Sequence, residues 1–415
     1  MTKKVTVETW GLFIPYFTPT RSPTSMLAFS LSTACRAAAF AAAAYQTPTT
    51  RSRTETIDGS TVSFFESGED SSLPTEESQC SCFAINDAAY MRFAFIDNVE
   101  TDTQVEIWAG RADSAGTVVS FRGTEISSPR DVATDIFVKQ EQLLCQEVGL
   151  PCKLEVGASQ VHAGFGRAYG SVRMALLVVL QRLQVLSSSA AAAAGVRPGD
   201  APRLLLTGHS LGGALALLAA RELGAALRSG LEIYTFGAPR VGDTALAAEV
   251  LRATAQCSGP WRVVNFDDYL VPRFPRGTPA NRVWDYVHVG ATVLLPPPDA
   301  TKPCSLLLAA VGDAEGCPLR EVNPRYTGFL PPPVFDWPGT NLLAFVAQEA
   351  RTVLRLLTRG GVSAHFLVAY DAQLTRCRAE GGAPLQTRTV GEEVRVDGSA
   401  PDGGYLELLR ATYGA

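Results

Sequence analysis

Gly208-His209-Ser210-Leu211-Gly212 is the stretch of this sequence best equipped for chemistry. A serine hydroxyl is a weak nucleophile at neutral pH and becomes a strong one when a neighbouring base takes its proton. Glycines on both sides let the arms of a sharp turn approach where side chains would collide. The run Leu204-Leu205-Leu206 in front reads as a strand buried on both faces, and Ala214 to Leu223 behind reads as a helix of strong helix formers. Strand, Gly-x-Ser-x-Gly and helix together spell a nucleophile elbow over residues 207–213. The start of that helix also places backbone N–H groups, Leu211 first, where they can bind an oxyanion. Such pentapeptides also arise by chance, and it is the flanking strand and helix that argue against chance here.

The base must come from four histidines, His162, His209, His288 and His365. His209 lies inside the elbow with its side chain directed away from Ser210, and His162 precedes the serine. In enzymes built on this turn the acid and then the histidine follow the serine in the chain, which leaves His288 and His365. For the acid, the strand Val263-Val264-Asn265-Phe266 runs into Asp267-Asp268. Either carboxylate could orient a histidine Nδ1–H; the plainer alternative is a pair of loop aspartates before Pro272.

The elements that must hold these residues follow in order. An Ala-rich segment, 25–45, reads as a helix packed on the core, and residues 56–66 as a hairpin around Asp58-Gly59. Strands are expected at 90–96, 104–109 and 117–121, a helix from His162-Ala163 to Val185, and further strands at 232–236 and 262–266. Buried strands alternating with helices predict an α/β fold with a mostly parallel central sheet flanked by helices, its site at the carboxyl ends of the strands. Residues 187–200 read as a low-complexity surface loop. Residues 296–340, with Pro296-Pro297-Pro298 and Pro331-Pro332-Pro333, read as a long loop or cover. A helix is expected at 341–357.

Composition sets outer bounds. With 415 residues, 46% hydrophobic and 19% charged, the chain suits a soluble globular protein with a large core. A net charge of -5 carries no nucleic-acid footprint, and no apolar run reaches the ~18 residues of a membrane span. Residues 11–54 contain Arg, Ser and Thr but no acid, so 1–22 reads as a leader or a disordered segment, 23–375 as the working domain and 376–415 as a polar tail. That leans towards an organelle or a secreted location. Nine cysteines allow local disulfides Cys145–Cys152 and Cys304–Cys317, which would imply an oxidising compartment; the alternative is that all are free thiols.

The motifs, taken in order along the chain, resemble the class 3 lipases, and most of all their plant plastid-lipase branch. The resemblance rests on Ser120-Phe121-Arg122-Gly123-Thr124-Glu125, Val161-His162-Ala163-Gly164-Phe165, Thr207 to Ala214, Phe236-Gly237-Ala238-Pro239-Arg240, Arg262 to Pro272 and Tyr286-Val287-His288-Val289-Gly290. It implies an α/β-hydrolase fold, Ser210 as nucleophile, Asp268 as acid, His365 as base in preference to His288, and an oxyanion hole from Leu211 and Thr124. The family usually has Asp-x-Val-Pro or Asp-x-Ile-Pro; here Asp268-Tyr269-Leu270-Val271-Pro272 is one residue longer, which keeps Asp267 in reserve. Residues 126–137 resemble the family's lid, with Val132 where many members carry Trp. Asp131, Asp135, His162 and Arg240 take structural roles. The resemblance further implies hydrolysis of a glycerolipid ester at a membrane or droplet surface, with neither metal nor organic cofactor. Two rivals share the fold: an esterase for small or feruloyl-type esters, and a lipid-binding protein without catalysis.

Overall fold

In a computed structural model, the residues described are 29–46, 48, 53–65, 89–111, 116–123, 140–142, 159–183, 203–227, 230–255, 257–265, 268, 271, 288–295, 305–309, 364–379 and 383–386. The segments expected to be a leader (1–22), a lid (126–137) and a helix (341–357), and Cys145, Cys152, Cys304 and Cys317, all lie outside them.

The tight turn Asp58-Gly59, with φ of +48° and +79°, joins β1 (Arg53–Ile57) to β2 (Ser60–Phe64) as an antiparallel hairpin. β3 (Tyr90–Asn98), β4 (Thr103–Gly110) and β5 (Thr117–Phe121) extend it, each antiparallel to the last. A small separate ribbon is formed by β6 (Gln140–Gln142) and β7 (Gln160–His162). From β5 onward the main sheet turns parallel, through β8 (Leu204–His209), β9 (Leu231–Phe236), β10 (Ser258–Asn265) and β11 (Ala291–Leu295). Two further strands finish it, β12 (Ser305–Ala309), antiparallel to β11, and β13 (Ala383–Gln386), parallel to β12. Among the described residues eleven strands thus make one sheet, parallel where the site lies and antiparallel along its N-terminal half.

Helices cover both faces. Side-chain alternation sorts each central strand: Leu204 and Leu206, Val119 and Phe121, and Leu231 and Ile233 face one core, while Leu205, Val118, Tyr234 and Phe236 face the other. The first core is closed by α2 (Ala163–Arg182), α3 (Leu211–Leu227) and α4 (Thr244–Ala253), and the second by α1 (Leu31–Ala43) and α5 (Leu367–Ala379). This is the layered α/β arrangement that the alternating pattern called for.

α1 shows why its sequence is so rich in alanine. Ser30 caps it, accepting a hydrogen bond from the Thr33 N–H. Its alanines are almost wholly buried, so helix and sheet come close enough for strand hydroxyls to reach helix carbonyls. Ser120 Oγ donates to Phe40 O at 2.8 Å and Thr207 Oγ1 to Ala37 O at 3.1 Å. A larger side chain on that face would hold the two apart.

Two segments differ from the sequence expectation. The Pro-rich stretch contains β12, and the expected polar tail begins with the end of α5 and contributes β13. β13 is the edge strand and β12 lies between it and β11. The apolar run Leu306-Leu307-Leu308 of β12 sits among prolines that read as loop, and Ala-Pro-Leu-Gln of β13 carries no strand-like pattern. Cys377 in α5 is disulfide-bonded, whereas Cys257 is a free thiol.

Candidate active site

The carboxyl ends of the parallel strands converge on Ser210. β8 delivers it, and the chain turns there at φ +55°, a left-handed conformation that costs a residue with a Cβ about 1–2 kcal/mol. The surroundings enforce it. The Ser210 N–H donates to Phe236 O at the end of β9 at 2.9 Å, and the Gly213 N–H donates to Ser210 O at 3.0 Å. The flanking glycines are sterically required: a Cβ on Gly208 would lie 2.3 Å from the Gly212 carbonyl, and one on Gly212 would lie 2.1 Å from Phe121 O. Gly123, just beyond β5, is similarly confined, with a Cβ there 2.6 Å from His209 O and 3.3 Å from Ser210 Cβ. Leu211 opens α3, so its N–H belongs to the first turn, whose donors have no partner within the helix.

Asp268 lies just past β10, and its N–H donates to Asn265 O at 3.1 Å. Its Oδ2 receives two hydrogen bonds, one from His365 Nδ1 at 2.7 Å and one from Tyr370 Oη at 2.6 Å. Both side chains of the His365–Asp268 pair are completely buried. His365 precedes α5 in a short turn and Tyr370 comes from α5 itself; the Asn265 side chain also ties this segment to β10 by donating to Ala364 O at 3.0 Å. With Nδ1–H given to the carboxylate, the lone pair lies on His365 Nε2, which is buried and has no hydrogen-bond partner. Gly237, at φ +56°, is the backbone floor of the group: a Cβ there would come within 2.8 Å of Tyr370 Oη, 2.9 Å of His365 Cε1 and 3.0 Å of Asp268 Oδ2.

His209 is buried against His365, with ring centroids 4.7 Å apart. Its Nε2 bonds His365 O at 2.7 Å and its Nδ1 bonds Tyr45 Oη at 2.8 Å, so neither nitrogen is spare to act on Ser210. Burial, and secondarily the neighbouring His365, hold its pKa well below the usual 6.5.

The remaining sequence candidates fall as follows. His162 is fully buried as the N-cap of α2, its Nδ1 accepting from the Gly164 N–H. Its own N–H donates to Val241 O at 2.9 Å, which joins β7 to the loop after β9. Arg240 is buried in that loop, and His288 is buried shortly before β11. Thr124, Asp267, Asp131, Val132 and Asp135 lie outside the described residues. Tyr45, Tyr370 and Gly237 were not singled out as site residues from sequence. No local signal marks the two tyrosines, since each reaches the site only through the packing of a helix; Gly237 stands inside a family-like motif but carries no chemistry of its own.

Over part of its length the chain is similar to known lipases. Residues 118–278 match the sequence model of the lipase (class 3) family. The lipase of Rhizomucor miehei is 35% identical over 188 residues, covering 43% of this chain and 42% of that protein. The secreted mono- and diacylglycerol lipase 1 of Fusarium solani is 31% identical over 210 residues, covering 46% and 56%. The chain therefore spans about half the length of the curated relatives it matches. Among solved structures, the native Rhizomucor miehei lipase propeptide complex aligns at 26% identity over 50% of this chain and 57% of that one, with a TM-score of 0.36.

Proposed function

We propose that this chain, an α/β-hydrolase fold carrying the class 3 lipase pattern, is a serine acylhydrolase of glycerolipid esters. One observation carries the reading most of the way: a fully buried imidazole is held through Nδ1 by Asp268 with a lone pair unused on Nε2, and it packs on His209, whose chain neighbour Ser210 is forced onto a left-handed turn. Burying that much polarity without using it is costly, and sites that do so commonly work for a living chemistry.

In this mechanism His365 Nε2 takes the Ser210 hydroxyl proton as Oγ bonds to the ester carbonyl carbon. Asp268 fixes the ring and stabilises its charged form, and Tyr370 helps keep that carboxylate a good acceptor. The Leu211 N–H, with Thr124 as second donor, stabilises the oxyanion of the tetrahedral adduct. That adduct collapses by breaking the carbon–oxygen bond to the alcohol, which leaves with the proton from Nε2. Water, deprotonated by the same nitrogen, then attacks the acyl-enzyme, and the fatty acid departs as Ser210 recovers its proton. The reaction balances with water alone as co-substrate.

For the substrate we propose a glycerolipid presented at a membrane or droplet surface. The relative from Fusarium solani is named for mono- and diacylglycerols; the motif resemblance to the plastid branch extends the candidates to phospholipids and galactolipids. Release of fatty acid from triacylglycerol, phosphatidylcholine and monogalactosyldiacylglycerol by purified protein, beside Ser210→Ala, tests this. Release from at least one lipid, absent in the variant, is expected. Equal, background-level release by both proteins on all three would overturn it.

A further inference from the structure

We infer that His209 and Tyr45 are positioning residues for the base: a neutral imidazole, locked by a tyrosine from α1, holds the main chain of His365 in place. The inference deepens the acylhydrolase reading and rests on it.

The hydrogen-bond pattern admits a single proton arrangement. His209 Nε2 faces a carbonyl oxygen, His365 O, at 2.7 Å, and a carbonyl can only accept, so Nε2 carries the ring proton. A ring kept neutral by burial then has a bare Nδ1, which accepts from Tyr45 Oη at 2.8 Å. His365 O thus fixes the tautomer, and Tyr45 satisfies the ring nitrogen that this leaves bare. Were the proton on Nδ1, a ring lone pair would point at a carbonyl lone pair in a buried site, and the bond would be lost.

The chain of contacts joins three parts of the molecule that sequence keeps far apart. Tyr45 follows α1, His209 is the last residue of β8 before the nucleophile, and His365 leads into α5. His365 is thereby fixed at two points: its ring by Asp268 and its backbone by His209. A ring with a single anchor at Nδ1 could still swing about that bond and move Nε2 relative to Ser210. The second anchor, with the two imidazole planes packed together at a 35° tilt, removes that freedom. A misplacement of about 1 Å costs a catalytic group on the order of 100-fold in rate, so the anchor matters more to kcat than to substrate binding.

The test uses Tyr45→Phe, His209→Leu and His209→Gln, the last keeping one acceptor and one donor at comparable reach. On a short-chain soluble ester, His209→Leu is expected to lower kcat about 10- to 100-fold with KM unchanged. Tyr45→Phe, which deletes a single oxygen, lowers kcat about 3- to 10-fold, and His209→Gln recovers to within about threefold of the parent protein. Because the chain has only four histidines, 15N-histidine NMR reads the rings without turnover. It should show a neutral His209 with its proton on Nε2, and a His365 Nδ1–H signal that shifts in Tyr45→Phe and His209→Leu. A His209 proton on Nδ1, or a folded His209→Leu protein with unchanged kcat and an unmoved His365 signal, would overturn the inference. An inactive parent protein with the NMR pattern intact would instead count against the acylhydrolase reading alone.

Discussion

Asp268 Oδ2 accepts from both His365 and Tyr370, and the two donors are not equivalent. Losing the carboxylate removes the ring's orientation and its charge partner, so Asp268→Asn is expected to lower kcat about 10⁴-fold. Tyr370→Phe removes only one hydrogen bond to a charged group, worth about 1.5–3 kcal/mol, so a loss of about 10- to 100-fold is expected. Steady-state kinetics on a soluble ester measures both; equal losses would mean that Tyr370 does more than support the carboxylate. Gly237→Ala tests the floor of the site. At φ +56° a Cβ costs about 1–2 kcal/mol of backbone energy, and it would also crowd His365, Asp268 and Tyr370. Denaturant unfolding should show that stability loss, and kcat should fall while the protein stays folded. Of these residues Ser210's turn was legible from the sequence because it is written locally, in glycines whose steric need is a property of the turn. The Asp268–His365 pairing came from chain order and resemblance, since the two positions are 97 apart and nothing in the stretch between them encodes their contact. Tyr370 was not legible at all.

At the scale of elements, β8, the elbow and α3 could be read because period, length and turn chemistry agree over one short span. α5 could not. Its inward side carries Asp371 and Gln373 along with Leu367, Tyr370, Leu374 and Cys377, so the apolar stripe that betrays a helix is broken by buried polar groups. That mixture is what an element supporting a polar site needs. α1 shows the opposite case, where composition alone revealed a helix pressed on the core. Its spacing makes a sharp prediction. Ala38 is fully buried in the core that α1 closes, so Ala38→Leu should overpack that core and cost about 1–3 kcal/mol in chemical denaturation. An unchanged midpoint would mean that helix and sheet have room to spare. Because Tyr45 follows this helix, activity should suffer along with stability.

For the whole molecule, acid stability follows from His209. Its folded pKa lies well below the unfolded 6.5, mainly through burial, so below pH 6.5 the unfolded chain binds a proton that the native protein excludes. The sign is therefore that stability falls as pH drops below 6.5, by up to about 1.4 kcal/mol per pH unit from this group, until the folded pKa is reached. His209→Gln should flatten that slope in pH-dependent urea unfolding; a slope equal to that of the parent protein would place the proton uptake elsewhere. The α/β layering and the strand-turn-helix of the elbow were visible from sequence, whereas β12 and β13 were hidden in a proline-rich and a polar stretch. The central claim concerns one atom of the intact molecule, Ser210 Oγ, and mass spectrometry after incubation with a fluorophosphonate tests it most directly. One adduct per chain on the Ser210 peptide, formed far more slowly in His365→Ala, is the predicted result. A chain that stays at its native mass, or that is labelled elsewhere while the Ser210 peptide remains unmodified, would contradict it.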